Sequence, residues 1–170
     1  AGALPCWRLG GGGSCWVLGA AFVAGLALRL WGLDFGLPHT AARPDESVLV
    51  HRALDIAGGH WNPHFFNYPS FHLYLLSGVF GLYYLASLLV GTVDGTQAFL
   101  LRFLLDPSGL YLTGRWLTAL MGTATIACCW HMGRTLGGRA AATASAILIA
   151  LAFLHVRDSH FLTVDVPATF

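Results

Sequence analysis

The chain has 170 residues, of which 56% are hydrophobic and 10% charged, with a mean hydropathy of +0.65. A soluble domain carries about 25% charged residues, so this composition excludes an ordinary water-facing surface and points to a membrane protein in which each charge needs a reason. All nine basic residues are Arg, only Glu46 among the eight acids is Glu, and a net charge of +1 with no basic stripe excludes nucleic acid as a partner.

In chain order, residues 1–14 read as a cytoplasmic leader carrying Arg8 and a Gly run that no strand precedes. The apolar stretch 15–33 is roughly 28 Å long as a helix at about 1.5 Å per residue, enough for a bilayer core of about 30 Å. A secretory signal peptide is the competing reading. The run continues through Leu28 and Leu30 into Trp31, an interface-like aromatic, which favours a transmembrane helix.

Residues 34–69 hold Arg43 and Arg52 against Asp34, Asp45, Glu46 and Asp55, so the loop 34–112 is placed outside. Pro44 suits a helix start and Gly58-Gly59 a helix end, which predicts an amphipathic helix over 45–57 with Val50, Ala53, Leu54 and Ala57 on its apolar face. Three more apolar runs follow, at 71–93, 113–133 and 140–156. The connector 134–139 holds Arg134 and Arg139 and no acid, which makes it cytoplasmic by the positive-inside rule. The run at 71–93 then cannot be a simple crossing, because the chain is already outside, and is read as an interfacial or re-entrant helix. Residues 157–170 begin a second external loop on the same face as Asp45. The fold class expected is all-α, a polytopic transmembrane helical protein.

Four Cys residues (Cys6, Cys15, Cys128, Cys129) show neither a CxxC pair nor zinc-ligand spacing. Beginning at Ala1 and stopping at Phe170 inside an apolar run, the chain is expected to be a fragment of a longer protein.

Three groups of residues carry chemistry. Asp45 and Glu46 share the first turn of the 45–57 helix, where the macrodipole favours carboxylates; a general base, a metal ligand and ordinary helix capping all fit. From His60 to Phe71, aromatics including Tyr68 are broken by Pro63 and Pro69, as in an interfacial belt or a stacking wall for a sugar or prenyl chain. The spacing of His60 and His64 would suit a metal on a helix, but Pro63 opposes that geometry. At the outer end of the last span, Arg157, Asp158, His160 and Asp165 crowd together, and Asp165 between two Val residues needs a cation, a polar partner or water. No phosphate loop, GxSxG, HExxH or kinase signature is present.

Taken in order, PDE at 44–46, NPHFFNYPS at 62–70, GRWLTALMGT at 114–123 and RDSHFLTVDVPATF at 157–170 resemble the start of a membrane glycosyltransferase of the protein-mannosyltransferase type, glycosyltransferase family 39 in the GT-C superfamily. The resemblance covers about Leu26 to the end. It implies a multi-pass protein of the bacterial inner membrane with an extracytoplasmic active face. It further implies a polyprenyl-phosphate-linked sugar donor and inverting transfer to a protein, lipid or glycan acceptor. Carried over, Asp45 with Glu46 beside it is the candidate catalytic base. Asp165 is a third catalytic candidate that would organise the donor phosphate or ligate a divalent metal. Arg157, Asp158, His160 and Tyr68 are candidate substrate-binding residues, with Arg157 or His160 offsetting charge on the leaving phosphate. Some relatives carry a Glu-Lys pair before the first-loop Pro where this chain has Phe66-Asn67-Tyr68, which puts a metal site of that kind in doubt. The competing classes are a transporter or channel fragment and a structural membrane subunit. The first predicts a carboxylate inside a span, and every acid here lies outside the apolar runs.

Overall fold

The computed structural model describes residues 12–40 and 43–170, with side chains from Trp16 onward; Cys6, Arg8, most of the leader and the side chain of Cys15 lie outside the described residues. Seven helices follow one another: α1 (Gly12–Leu30), α2 (Pro44–Ala57), α3 (Ser70–Leu89), α4 (Thr96–Leu105), α5 (Ser108–Leu151), α6 (Phe153–Asp158) and α7 (Asp165–Thr169). The fold is all-α, and no strand occurs among the described residues.

The expected loop 134–139 is instead helical on both sides of Gly138, whose φ of 75° and ψ of −156° break α5 into two arms. In a straight helix, residues eight apart are separated by about 12 Å. Here a Cβ placed on Gly133 would lie 2.9 Å from the Ala141 carbonyl oxygen and from the Ala142 Cα, so the chain folds back tightly at Gly138. Only a residue without a Cβ takes this backbone conformation readily.

α1 packs along both arms. Its Gly25 sits where a Cβ would strike Ile126 of the first arm and lie 3.5 Å from Ala150 of the second, and Ala21, Ile126, Ala146 and Ala150 form a small buried cluster at that seam. Small residues let helix backbones approach closely, which suits packing that gains little from hydrophobic burial, as in lipid. α1 thus runs antiparallel to the first arm and parallel to the second. Its C-terminal end, the start of α5, and α6 with α7 all gather at one end of this three-helix unit, and Gly138 lies at the other.

A buried arginine fixes that arrangement. Arg29 is fully buried and donates to the carbonyls of Gly25 (2.9 Å), Ile149 (3.0 Å) and Ala150 (3.3 Å). Residues 149 and 150 belong to the last turn of α5, whose carbonyls have no intrahelical donor, so the guanidinium completes the helix end. Its Nη2 also donates to His155 Nδ1 at 2.9 Å. Arg has no acceptor atom, which puts the proton of a neutral His155 on Nε2.

The larger core lies at the gathered end, where Leu49, Val50, Ala53 and Ile56 of α2 meet Leu73, Leu76 and Phe80 of α3, Phe99 of α4, Leu110 and Tyr111 of α5, and Leu162. Truncating a fully buried aromatic such as Phe80 costs about 3–5 kcal/mol. The buried face of α2 is rotated from the expected one: Leu49 and Ile56 are inside, Ala57 is exposed, and Glu46 lies on the buried face one turn before Val50. α3 meets α5 through Tyr83 at Gly109 and Leu76 at Gly114, so the two run antiparallel and α3 continues past the start of α5.

Among the described residues, one helix is long and apolar enough to cross a membrane, Ser70–Leu89. It is the segment expected to be interfacial or re-entrant. Trp16–Leu30 and Thr96–Leu105 are shorter apolar helices, and the arms of α5 are diluted by Thr, Gly and Arg. Large apolar side chains nonetheless stand exposed around the helical unit, among them Phe22, Val23 and Leu28 on α1 and Leu120, Leu136 and Leu148 on α5.

Candidate functional site

The gathered end is organised by one buried ion pair. Arg115, early in α5, donates from Nε to Glu46 Oε1 (2.9 Å) and from Nη2 to Glu46 Oε2 (2.6 Å), and each side chain is 1% exposed. The remaining guanidinium nitrogen donates to the carbonyls of Leu33 (2.7 Å) and Phe35 (2.9 Å) in the turn after α1. Glu46 Oε1 also accepts the amide N–H of Leu162 at 2.6 Å. One charge pair therefore joins four pieces of chain: the exit of α1, the start of α2, α5, and the segment between α6 and α7. Each guanidinium nitrogen and each carboxylate oxygen in it has at least one hydrogen-bond partner, the condition under which a buried pair is tolerated.

This geometry separates the two first-turn acids. Successive helical residues project about 100° apart, so Glu46 points inward while Asp45 is exposed. Glu46 is a structural anchor, with no lone pair left facing solvent for proton abstraction. Asp45 makes no hydrogen bond or ion pair with a described residue, and Arg43, two residues before it, lays its guanidinium 4.0 Å from the Phe161 ring centroid without a carboxylate partner among the described residues.

Asp165 opens α7, is exposed, and likewise makes no hydrogen bond or ion pair with a described residue. Because Glu46 holds the Leu162 amide, Asp45 is one residue from one side of that contact and Asp165 three residues from the other. Both acids are thereby brought to the gathered end.

The other expected residues are more committed. Arg157 pairs with its neighbour Asp158 (Nη2–Oδ1 2.7 Å), a partly exposed contact worth little to stability. His160 has Nδ1 2.8 Å from the Val156 carbonyl and Nε2 2.9 Å from the Trp31 carbonyl, so a neutral ring donates to one of them, in α6 or at the end of α1, according to which nitrogen carries the proton. Tyr68 is half-buried, edge-on to Phe65 with ring centroids 5.3 Å apart, and packs on the core. His60 and His64 are exposed in the loop before α3. Among the described residues no three His, Cys, Asp or Glu side chains gather to hold a metal ion, and Asp165 alone would be a single ligand. Cys128 and Cys129 are free thiols within α5.

Sequence reasoning did not single out Arg29, Arg115 or His72. The signal was present for the first two, since each is a charge on or beside an otherwise apolar helical stripe. No protein-family description, curated relative or solved structure matches the chain.

Proposed function

We propose that this chain works as part of an inverting, polyprenyl-phosphate-dependent glycosyltransferase of the membrane, acting at the extracytoplasmic face. The observation that carries the reading is the delivery of two exposed acids, Asp45 and Asp165, neither with a hydrogen bond or ion pair among the described residues, to one end of the helical unit by the Glu46–Arg115–Leu162 contacts. The large apolar side chains exposed around the helical unit support a membrane setting. In this reading α1 and the two arms of α5 cross. The Gly138 turn, flanked by Arg134 and Arg139, faces the cytoplasm. α2 to α4 and α6 to α7 lie at the outer face, with α3 a juxtamembrane helix beside the start of α5.

The chemistry follows from the exposed groups. Asp45 takes the proton of the acceptor hydroxyl as its oxygen attacks the anomeric carbon. The bond from that carbon to the phosphate oxygen breaks, the lipid phosphate leaves with the electron pair, and attack from the opposite face inverts the centre. Charge on the departing phosphate needs a nearby cation. Arg43 is better placed for this than Arg157 or His160, because Asp158 pairs with the first and the ring nitrogens of the second face backbone carbonyls. Asp165 positions the donor or acceptor by hydrogen bonding, and no step is routed through a metal, since no ligand cluster is present among the described residues.

The test is release of sugar from a polyprenyl-phosphate sugar by the full-length protein in liposomes. Asp45→Asn is expected to lower turnover about 10²–10⁴-fold, the usual contribution of a general base, with Asp165→Asn also impaired. Wild-type turnover in both variants, with the fold intact, would sink the reading.

A further inference from the structure

Between the start of α3, Met121 on α5, and α7 lies a cavity of about 370 Å³, walled by Phe71, Leu75, Met121, Val164 and Phe170. This volume lies within the range of small-molecule sites, roughly 300–1,000 Å³, which are mostly apolar with a few polar groups that set orientation. The one strongly polar side chain in this wall is His72. It is 4% exposed, and neither ring nitrogen has a hydrogen-bond partner among the described residues. Native interiors rarely leave such groups unpaired, and each exception calls for a reason.

The chemistry of the wall narrows the ligand. Apart from His72 it offers no charged or strongly polar side chain, so an anionic head would enter without a cation to meet it. Nothing pairs with the ring to stabilise an imidazolium, and a neutral imidazole presents one donor and one acceptor. A hydroxyl also donates and accepts. We propose that this cavity binds a long-chain aliphatic alcohol, its hydroxyl hydrogen-bonded to His72 and its hydrocarbon laid against Phe71, Leu75, Met121 and Phe170. The site is independent of the transfer reaction proposed above, because His72 takes no part in that chemistry, and it would stand if the reaction were disproved.

To test it, the full chain with ¹⁵N-labelled histidine is titrated in detergent micelles with 1-decanol, decane and decyl phosphate at matched micellar mole fractions. The expected result is a saturable shift of the His72 ring resonances with 1-decanol alone, lost in Met121→Trp, which fills the cavity. Leu75→Trp fills it from α3 should the first variant lose helix content. Three outcomes overturn the proposal: a shift that grows with all three probes without saturating, an equal saturable response to decyl phosphate, or an unchanged response in a folded, cavity-filled variant.

Discussion

Arg115 meets Glu46 through two parallel hydrogen bonds, at 2.9 and 2.6 Å, from helices that lie 69 residues apart in the chain. A carboxylate at a helix start normally faces water, where its charge costs nothing. Glu46 faces the core, and Arg115 makes that placement affordable while using its spare donors on Leu33 and Phe35.

Removing one partner should therefore be far worse than its exposure in an extended chain would suggest. Arg115→Met strands a buried carboxylate and two carbonyls, and the expected loss is about 3–5 kcal/mol. Arg115→Lys should recover little, because an ammonium cannot make the two-pronged contact. The double variant Glu46→Leu with Arg115→Met should regain part of the loss but not all, since the Leu33 and Phe35 carbonyls and the Leu162 amide remain unpaired. Denaturant unfolding in detergent measures all three. A loss below about 1 kcal/mol for Arg115→Met, the scale of a surface pair, would contradict the burial argument.

Gly114, one residue before Arg115, gives a second handle on the same contact. A Cβ there would collide with the Leu162 side chain, and overpacking of this kind costs about 1–3 kcal/mol. The strain falls on the segment whose amide Glu46 holds, so Gly114→Ala should speed hydrogen exchange at Leu162 while leaving the Gly138 end of the unit unchanged. Equal acceleration at both ends would mean that the segment is not locally anchored.

The helical character of the chain was legible in its periodicity and caps: Pro44 opens α2 and Gly58 closes it. The buried face of α2 was read only in part: Val50 and Ala53, one and two turns on from Glu46, lie on it as expected, but Leu49 and Ile56 are buried where Leu54 and Ala57 were expected. Spacing placed Asp45 and Glu46 side by side and could not tell the exposed acid from the buried one. That distinction depends on a cation supplied by a helix 69 residues away. A connector was expected at 134–139; the turn there takes a tighter form, because helix formers flank Gly138 on both sides and only this single glycine of positive φ leaves the helix.

Asp106, just before α5, should leave a signature in acid. Its Oδ1 accepts the Ser108 amide at 3.0 Å, and contacts with Ser108, side chain first and backbone second, hold its carboxyl below the ordinary aspartate range, with Arg102 adding to the effect. The folded-state value is depressed, so the stabilisation is fully present above the unfolded value of about 3.9 and is lost as pH falls through the lower folded value. Asn at this position keeps an acceptor but does not titrate. The stability difference between wild type and Asp106→Asn should thus shrink as pH drops below about 4, as followed by unfolding midpoints. A difference independent of pH would show that the carboxylate form contributes nothing.

Asp45 and Glu46 should respond oppositely to neutralisation, and this separates the proposed chemistry from the architecture. Asp45 is exposed and without a partner among the described residues, so Asp45→Asn should leave stability within about 0.5 kcal/mol of wild type. If Asp45 is the base, the same change lowers sugar transfer about 10²–10⁴-fold. Glu46→Gln keeps the shape but replaces one charged acceptor oxygen with a donor facing Arg115 or Leu162, so it should lower the unfolding midpoint. Whatever activity it loses should follow the folded fraction. Arg43→Gln, which removes a cation stacked on Phe161, should slow transfer most for donors whose leaving phosphate is least stabilised by other means. The decisive measurement is turnover per folded molecule for each variant, with the folded fraction taken from the same sample. Intact stability with abolished transfer in Glu46→Gln, beside normal transfer in Asp45→Asn, would exchange the two roles and require Glu46 to leave Arg115 during the reaction.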